Sequence, residues 1–352
     1  MASALQYTDL PDRALKALEN SLPDHDAVAQ RVQHFGHVNP RSPDKDGDTE
    51  ELDGVTFTHH FTRTAGDYEE VNWHYVTCGK SDGTPIVFLH GVPDSWAQWH
   101  HQMAALSSTH FCIGIDLKGY GQSEKQPGSY VHETVAEQLY ALLQQILPAP
   151  KKFCLAAHDR GTVQADFIAA KYPDSVLGYA RGEQHLFHFH PSLAPQGDIF
   201  MNAPWTGVME DPKHFVLFVY TWITKLAIPD DTMQRVIQEF SYPGITRAVP
   251  RYFNNSSFRQ EWLARRQGGW RRADGSIANT CLLEAWKCPV VIMQGYDSKT
   301  QPREFYEKAR EYIPHAKAVE VMYMDGGHFW TLESPEQSTE AIRRMLELVQ
   351  GA

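Results

Sequence analysis

A carboxylate at the apex of a sharp strand-to-helix turn constrains this chain more than any other local feature. The apolar run Phe153-Cys154-Leu155-Ala156-Ala157 leads into His158-Asp159-Arg160-Gly161, and a helical pattern from Thr162 to Lys171 leads out. Small residues, Ala157 and Gly161, flank the turn, as an elbow that presents a nucleophile requires. The apex residue here is aspartate. A carboxylate attacking an ester carbonyl would form a high-energy anhydride. Attack on a saturated carbon bearing an epoxide oxygen or a halide instead gives an ordinary ester that water can cleave. Asp159 therefore points away from ester hydrolysis.

The surroundings of this elbow repeat its architecture. Apolar β runs are expected at Val55–Thr62, Val71–Thr77, Pro85–Leu89, Phe111–Ile115, Phe153–Ala157, Val176–Tyr179, Pro289–Met293 and Ala318–Met322. Amphipathic helical patterns separate most of them; Thr134–Leu147 places Val135, Leu139, Leu142, Leu143 and Ile146 on one face. Strands alternating with helices predict an α/β fold with a mostly parallel central sheet and helices on both faces. The alternation lapses between Gln184 and Leu283, an aromatic-rich stretch too long for a loop in a compact domain. It is read as an inserted helical cap over the carboxyl ends of the strands, where open α/β sheets bind ligands. The expected division is 1–54, a helical extension and linker; 55–183, the first part of the core; 184–283, the cap; and 284–352, the second part of the core.

His90-Gly91-Val92-Pro93-Asp94-Ser95-Trp96-Ala97-Gln98-Trp99-His100-His101-Gln102 is similar to the H-G-F-P-E-S-W-x-x-W-R-x-Q signature of epoxide hydrolases of the α/β-hydrolase fold. Asp116-Leu117-Lys118-Gly119-Tyr120-Gly121-Gln122-Ser123 resembles their D-x-R-G-Y-G-x-S turn. Gly244 to Asn254 resembles the cap segment that ends in W-Y-R-N. The likeness runs from about Val55 to the C-terminus. It implies that Asp159 is the nucleophile and that His328, in Asp325-Gly326-Gly327-His328, is the base. Asp297, after the Pro289–Met293 run, would orient that base, with Glu183 as the rival acid. Backbone N–H groups of Val92 and Arg160 would form the oxyanion hole. Tyr252 falls on a ring-opening tyrosine. Trp96, His158 and Tyr220 are candidate substrate contacts.

The departures carry information too. Gly197-Asp198 occupies the place of a first cap tyrosine, for which Tyr220, Tyr242 or Tyr296 could substitute. The H-D-R-G elbow is shared with haloacetate dehalogenases, but Val163 stands where their second arginine holds the substrate carboxylate. Haloalkane dehalogenases place Asn and Trp where this chain has Val92 and Arg160. The expected function is an epoxide-hydrolase type of reaction on a bulky apolar substrate. One alternative is a natural-product pathway enzyme performing ring formation or condensation; another is a haloacid dehalogenase; a third is a non-enzymatic receptor.

Composition bounds the partners. A formal net charge of −11 argues against nucleic acid and anionic membranes, which want basic patches. The expected partner is a small-molecule substrate, with a homodimer as the assembly considered. No cofactor is expected. His185, His188 and His190 form a histidine cluster, but without Cys or carboxylate at a familiar ligand spacing it is read as a cap hinge rather than a metal site. The five cysteines show no framework spacing, and no signal-like or spanning apolar run is present, so a reducing, cytoplasmic setting is expected.

Overall fold

The computed structural model describes residues 23–64, 69–126, 128–184, 186, 211–254, 283–301, 303 and 306–351, with side chains at 252–254 outside that description. In chain order the helices are α1 (His25–Phe35), α2 (His100–Leu106), α3 (His132–Ile146), α4 (Arg160–Lys171), α5 (Pro212–Ile223), α6 (Asp230–Phe240), α7 (Ile245–Asn254), α8 (Ala309–Tyr312), α9 (Trp330–Glu333) and α10 (Pro335–Gln350). The strands are β1 (Thr49–Leu52), β2 (Val55–Thr64), β3 (Val71–Gly79), β4 (Pro85–Leu89), β5 (Phe111–Ile115), β6 (Phe153–Ala157), β7 (Val176–Arg181), β8 (Val290–Gly295) and β9 (Val319–Met324). They form one sheet in the order β1-β2-β3-β5-β4-β6-β7-β8-β9. β1, β2 and β3 pair antiparallel, as do β3 and β5; every pairing from β5 through β9 is parallel.

The two faces of the sheet follow from the two-residue period of a strand. Val87 and Leu89, Ile113 and Ile115, Leu155 and Ala157, and Val290 and Ile292 point to one side. There they meet Leu139, Leu142 and Leu143 of α3 and Ile168 of α4. Ile86 and Phe88, Cys112, Cys154 and Ala156, and Val291 and Met293 point to the other, against Met103 of α2 and Ile342, Met345 and Leu346 of α10. Continuous apolar strands buried on both faces are what a parallel sheet between helix layers requires.

The sheet begins earlier than the sequence suggests. Residues 49–52, assigned to the linker, pair with β2 through a two-residue turn in which Asp53 (φ 52°) and Gly54 (φ 72°) both adopt positive φ. Asp-Gly is the favoured composition for such a hairpin turn, but β1 is short and charged and carries no apolar alternation of its own.

Helices α5 to α7 lie between β7 and β8, and Phe215, Phe218, Phe240 and Ile245 join the core cluster on the α3–α4 side. The N-terminal helix α1 packs on this insertion. Val28 is buried, and Arg31 donates to the Thr221 hydroxyl at 3.1 Å. Among the described residues, no helix is long and apolar enough to cross a membrane.

Candidate active site

Asp159 occupies the elbow between β6 and α4 with φ 47° and ψ −118°, a left-handed conformation strained for any residue bearing a Cβ. The tightness of the turn is visible at Gly161, where a Cβ would lie 2.4 Å from the Leu89 carbonyl oxygen. Only glycine lets α4 start this close to the end of β4. The strained backbone lifts the Asp159 carboxylate off the sheet and onto two partners. Its Oδ1 accepts from the Val92 N–H at 3.1 Å, and its Oδ2 lies 3.5 Å from His328 Nε2. Arg160 opens α4, where backbone N–H groups face out of the helix end. The carboxylate thus bridges the Val92 loop and the imidazole.

Two side chains shape that loop from behind. His90 donates from Nδ1 to the Gly91 carbonyl at 2.7 Å and accepts the Leu117 N–H on Nε2 at 3.0 Å. Gln98 is the more consequential brace. Its Oε1 accepts from the Gly91 N–H at 3.0 Å, while its Nε2 donates to His158 Nδ1 at 2.8 Å. The other nitrogen of His158 donates to the His328 carbonyl at 2.8 Å. One amide therefore ties together the oxyanion loop, the elbow and the histidine loop.

The carboxylate beside His328 is not the one favoured by position. Glu183, two residues past β7, places Oε1 3.7 Å from His328 Nδ1 and accepts the Gly295 N–H on Oε2 at 3.1 Å. Thr300 shares the same imidazole nitrogen, with its hydroxyl at 3.0 Å. Asp297, the residue favoured by position, is exposed, and its backbone N–H bonds the Gly326 carbonyl. The reason lies at Gly295, where a Cβ would stand 1.9 Å from the Gly327 carbonyl oxygen. The histidine loop sits directly on the end of β8, so the following residues turn out into solvent. No strand-order argument could show this.

Burial opposes every charge in this trio, and the balance differs among the three. His328 would be pushed down by burial, but the carboxylates of Asp159 and Glu183 raise it to about 10, leaving an imidazolium at neutral pH. Burial likewise pushes the Asp159 carboxyl up, but His328, Arg160 and His158 together hold it well below the usual carboxylate range. Glu183 ends above its ordinary value because burial outweighs the same imidazolium.

Three expected substrate contacts have other duties. Trp96 is fully buried under the sheet, against Phe57 and His59, with its backbone N–H on Asp116. His158 is buried with both nitrogens committed, and burial lowers its pKa to about 3, so it braces rather than binds. Tyr220 donates its hydroxyl to Asp94 at 2.8 and 3.0 Å, and its ring stacks on Phe329 at 4.0 Å. Tyr242 is buried and Tyr296 is exposed. Tyr252 lies in α7, with its side chain outside the described residues, as are Gly197-Asp198, His185, His188 and His190.

Sequence reasoning missed Gln98, Asp94 and Glu333. The carboxylate of Glu333 accepts N–H groups from Gly327 and Phe329 of the histidine loop and from Lys225 and Leu226 after α5. It fastens the inserted helices to the loop that carries His328. Its only signal in sequence was its position five residues after His328, which periodicity does not single out.

A sequence profile described as alpha/beta hydrolase fold matches residues 84–335. Over 126 residues, 35% of this chain and 39% of the relative, the chain is 32% identical to "Epoxide hydrolase 2" of Siraitia grosvenorii. Over 145 residues, 41% of this chain and 46% of the relative, it is 32% identical to "Soluble epoxide hydrolase" of Corynebacterium sp. (strain C12). The matched stretches thus span less than half the length of these curated relatives. Among solved structures, the Cfl2 wild-type protein of Burkholderia cenocepacia superposes with a TM-score of 0.64 at 24% identity, covering 82% of this chain and 95% of that one.

Proposed function

The chain belongs to the alpha/beta hydrolase fold family, and we propose that it is a hydrolase of the epoxide-hydrolase type, acting through an ester on Asp159. The observation that carries this reading is the placement of the two carboxylate oxygens, Oδ1 on the Val92 N–H and Oδ2 toward His328. Oδ2 attacks a ring carbon of a bulky, largely apolar epoxide; a new C–O bond forms, the carbon–oxygen bond of the ring breaks, and the epoxide oxygen takes a proton. The Tyr252 phenol supplies that proton or a hydrogen bond, as the likeness of its segment implies. Oδ1 becomes the ester carbonyl oxygen, still on the N–H that will hold it as an oxyanion.

Ester formation then resets the base. An esterified Asp159 is neutral, so His328 loses one of the two anions that keep it protonated, and its pKa falls. Oriented by Glu183 and Thr300, the imidazole takes a proton from water, which adds to the ester carbon. Collapse of the tetrahedral intermediate breaks the bond to Oδ2. The product diol leaves with an oxygen that began in Asp159, and the water oxygen stays in the carboxylate.

That exchange is the test. A single turnover in ¹⁸O-water should give product without label from the attacking step and an Asp159-containing peptide heavier by one ¹⁸O. Label in the product and none in the peptide would eliminate the ester.

A second reading is favoured by one contact. The Tyr220 hydroxyl is committed to Asp94, which leaves the place of a second ring-opening phenol unfilled by that residue. On the same scaffold, Asp159 and His328 could serve a natural-product pathway as acid and base in ring closure or condensation. Turnover retained by Asp159→Asn without an ester would favour it. A haloacid dehalogenase is disfavoured by the buried, uncharged Val163 at the position of the carboxylate clamp. We place the protein in the cytoplasm, where the described cysteines, all free and buried, stay reduced.

A further inference from the structure

Asp53, His100 and His101 bring three donor atoms together at a place remote in sequence from the Asp159 elbow. Asp53 sits at the β1–β2 turn, and the two histidines open α2. Asp53 Oδ2 lies 2.7 Å from His101 Nδ1 and 3.6 Å from His100 Nε2, and all three donor atoms fall within 4.8 Å of one another. The His100 ring is pre-oriented, because its Nδ1 donates to the Ala97 carbonyl at 2.8 Å and leaves Nε2 facing Asp53. This is the backbone support that metal-bound imidazoles characteristically have. The two imidazole rings lie 3.8 Å apart, 37° from parallel, beside each other at one mouth.

We propose that Asp53, His100 and His101 form a binding site for a divalent transition metal of the Zn²⁺ class. Two imidazoles and one carboxylate suit Zn²⁺, Co²⁺ or Ni²⁺, whereas Mg²⁺ and Ca²⁺ prefer all-oxygen shells. An ion about 2.0–2.2 Å from each donor sets donor separations near the 3.6 Å already present and needs only a small opening of the 2.7 Å pair. Side-chain exposures of 12% for His100, 32% for His101 and 37% for Asp53 leave the donors reachable from solvent. The three donors line a cavity of about 420 Å³ together with Asp231, Arg235 and Glu239 of α6, which leaves room for further ligands. The Arg235 guanidinium works against positive charge at His100, but it is offset by its own pairs, with Glu50 at 2.7 and 2.8 Å and with Glu239 at 2.9 Å. The bound ion would staple the edge hairpin to the helix that directly follows the Val92 loop.

A second cluster, Asp44, His59 and His74, lacks this readiness. His59 Nδ1 is bonded to His74 Nε2 at 2.9 Å, His59 Nε2 to Glu50 at 3.1 Å, and His74 Nδ1 to Asp116 at 2.6 Å. An ion would have to break a buried network. At Asp53 it displaces only one partly exposed contact.

The test uses the full chain stripped with a chelator and titrated with Co²⁺, followed by visible absorption and calorimetry. The expected result is saturation at roughly one equivalent, displacement by Zn²⁺, and a rise in the thermal midpoint on metal addition. The variants Asp53→Asn and His101→Gln, separately and together, lie at the surface and should keep the circular dichroism of the parent. They should weaken Co²⁺ binding by more than the roughly 10–100-fold that a supporting residue costs, and abolish the rise in midpoint. No saturable Co²⁺ binding by the parent, or equal binding by the folded double variant, would overturn the proposal.

Discussion

The hydroxyl of Tyr220, in the last turn of α5, bonds both oxygens of Asp94, two residues beyond the Val92 whose N–H holds the Asp159 carboxylate. Through this contact the inserted helices hold the oxyanion loop, just as Glu333 holds them to the histidine loop. The two loops that meet at Asp159 are therefore fastened to the same insertion by buried carboxyl groups. Tyr220→Phe keeps the stacking on Phe329 but leaves Asp94 without its donor. It should lower stability by about 1–3 kcal/mol, read from urea denaturation at pH 7.

Asp94 also makes stability depend on pH. Burial is the larger cause, and the charge of Glu239 adds to it, so its pKa rises to about 8 although the Tyr220 hydrogen bond pulls the other way. Above its ordinary value of 3.8 the unfolded chain releases this proton while the folded one keeps it. Stability from this group therefore falls as pH climbs from about 4 to about 8 and levels off beyond, with a slope approaching 1.4 kcal/mol per unit. Asp94→Asn keeps an acceptor for Tyr220 and removes the titration. Its thermal midpoint should gain on that of the parent between pH 5 and pH 8; parallel curves over that range would refute the assignment.

Glu183 and Asp297 separate cleanly by mutation. Glu183→Gln removes the anion beside His328 Nδ1 and should slow hydrolysis of the ester by roughly 10² or more, so that labelled Asp159 accumulates as ester under turnover. Asp297→Asn changes an exposed side chain and should leave turnover near that of the parent. Rapid-quench mass spectrometry on both variants decides between the two acids.

What was legible in sequence divides along physical lines. Strands β3 to β8 announce themselves largely as apolar runs and half-buried β2 and β9 by alternation, so all eight lie close to their expected positions. The elbow, the Val92 loop and His328 are written in contiguous residues, and the structure brings them together. Contacts between segments far apart in the chain were not legible. That Glu183 rather than Asp297 reaches His328 depends on how closely Gly327 packs on Gly295. That Trp96 and His158 serve the core depends on which way the loop after β4 turns its side chains. Short β1, Thr-Glu-Glu-Leu, carries no apolar run of its own and is defined by its pairing with β2.

Gln98 offers a test of positioning without chemistry. Its amide is the only hydrogen-bond partner shown for the Gly91 N–H among the described residues, and it also fixes the His158 tautomer. Gln98→Leu fills the space but strands a buried N–H and an imidazole nitrogen. We expect a loss of stability of about 2–6 kcal/mol, from a penalty of about 1–3 for each of the two groups, together with a fall in kcat larger than any change in KM. A variant with normal kcat would show that the oxyanion loop holds its shape without the brace.

The charge on His328 is the most direct probe of the site's resting state. Its folded pKa, about 10, stands above the ordinary 6.5, with Asp159 and Glu183 as the raising partners against burial. The contribution to stability is therefore complete below about pH 6.5 and disappears as pH rises through 10. Asp159→Asn deletes one anion and should move the imidazole pKa down by more than a unit, measurable from the ring carbon-proton shifts in an NMR titration. In the same variant the dependence of stability on pH should end at the lowered pKa, whereas in the parent it continues to about 10. If the imidazole titrates at the same pH in both proteins, Asp159 does not hold the proton on His328, and the proposed release of the base by ester formation fails with it.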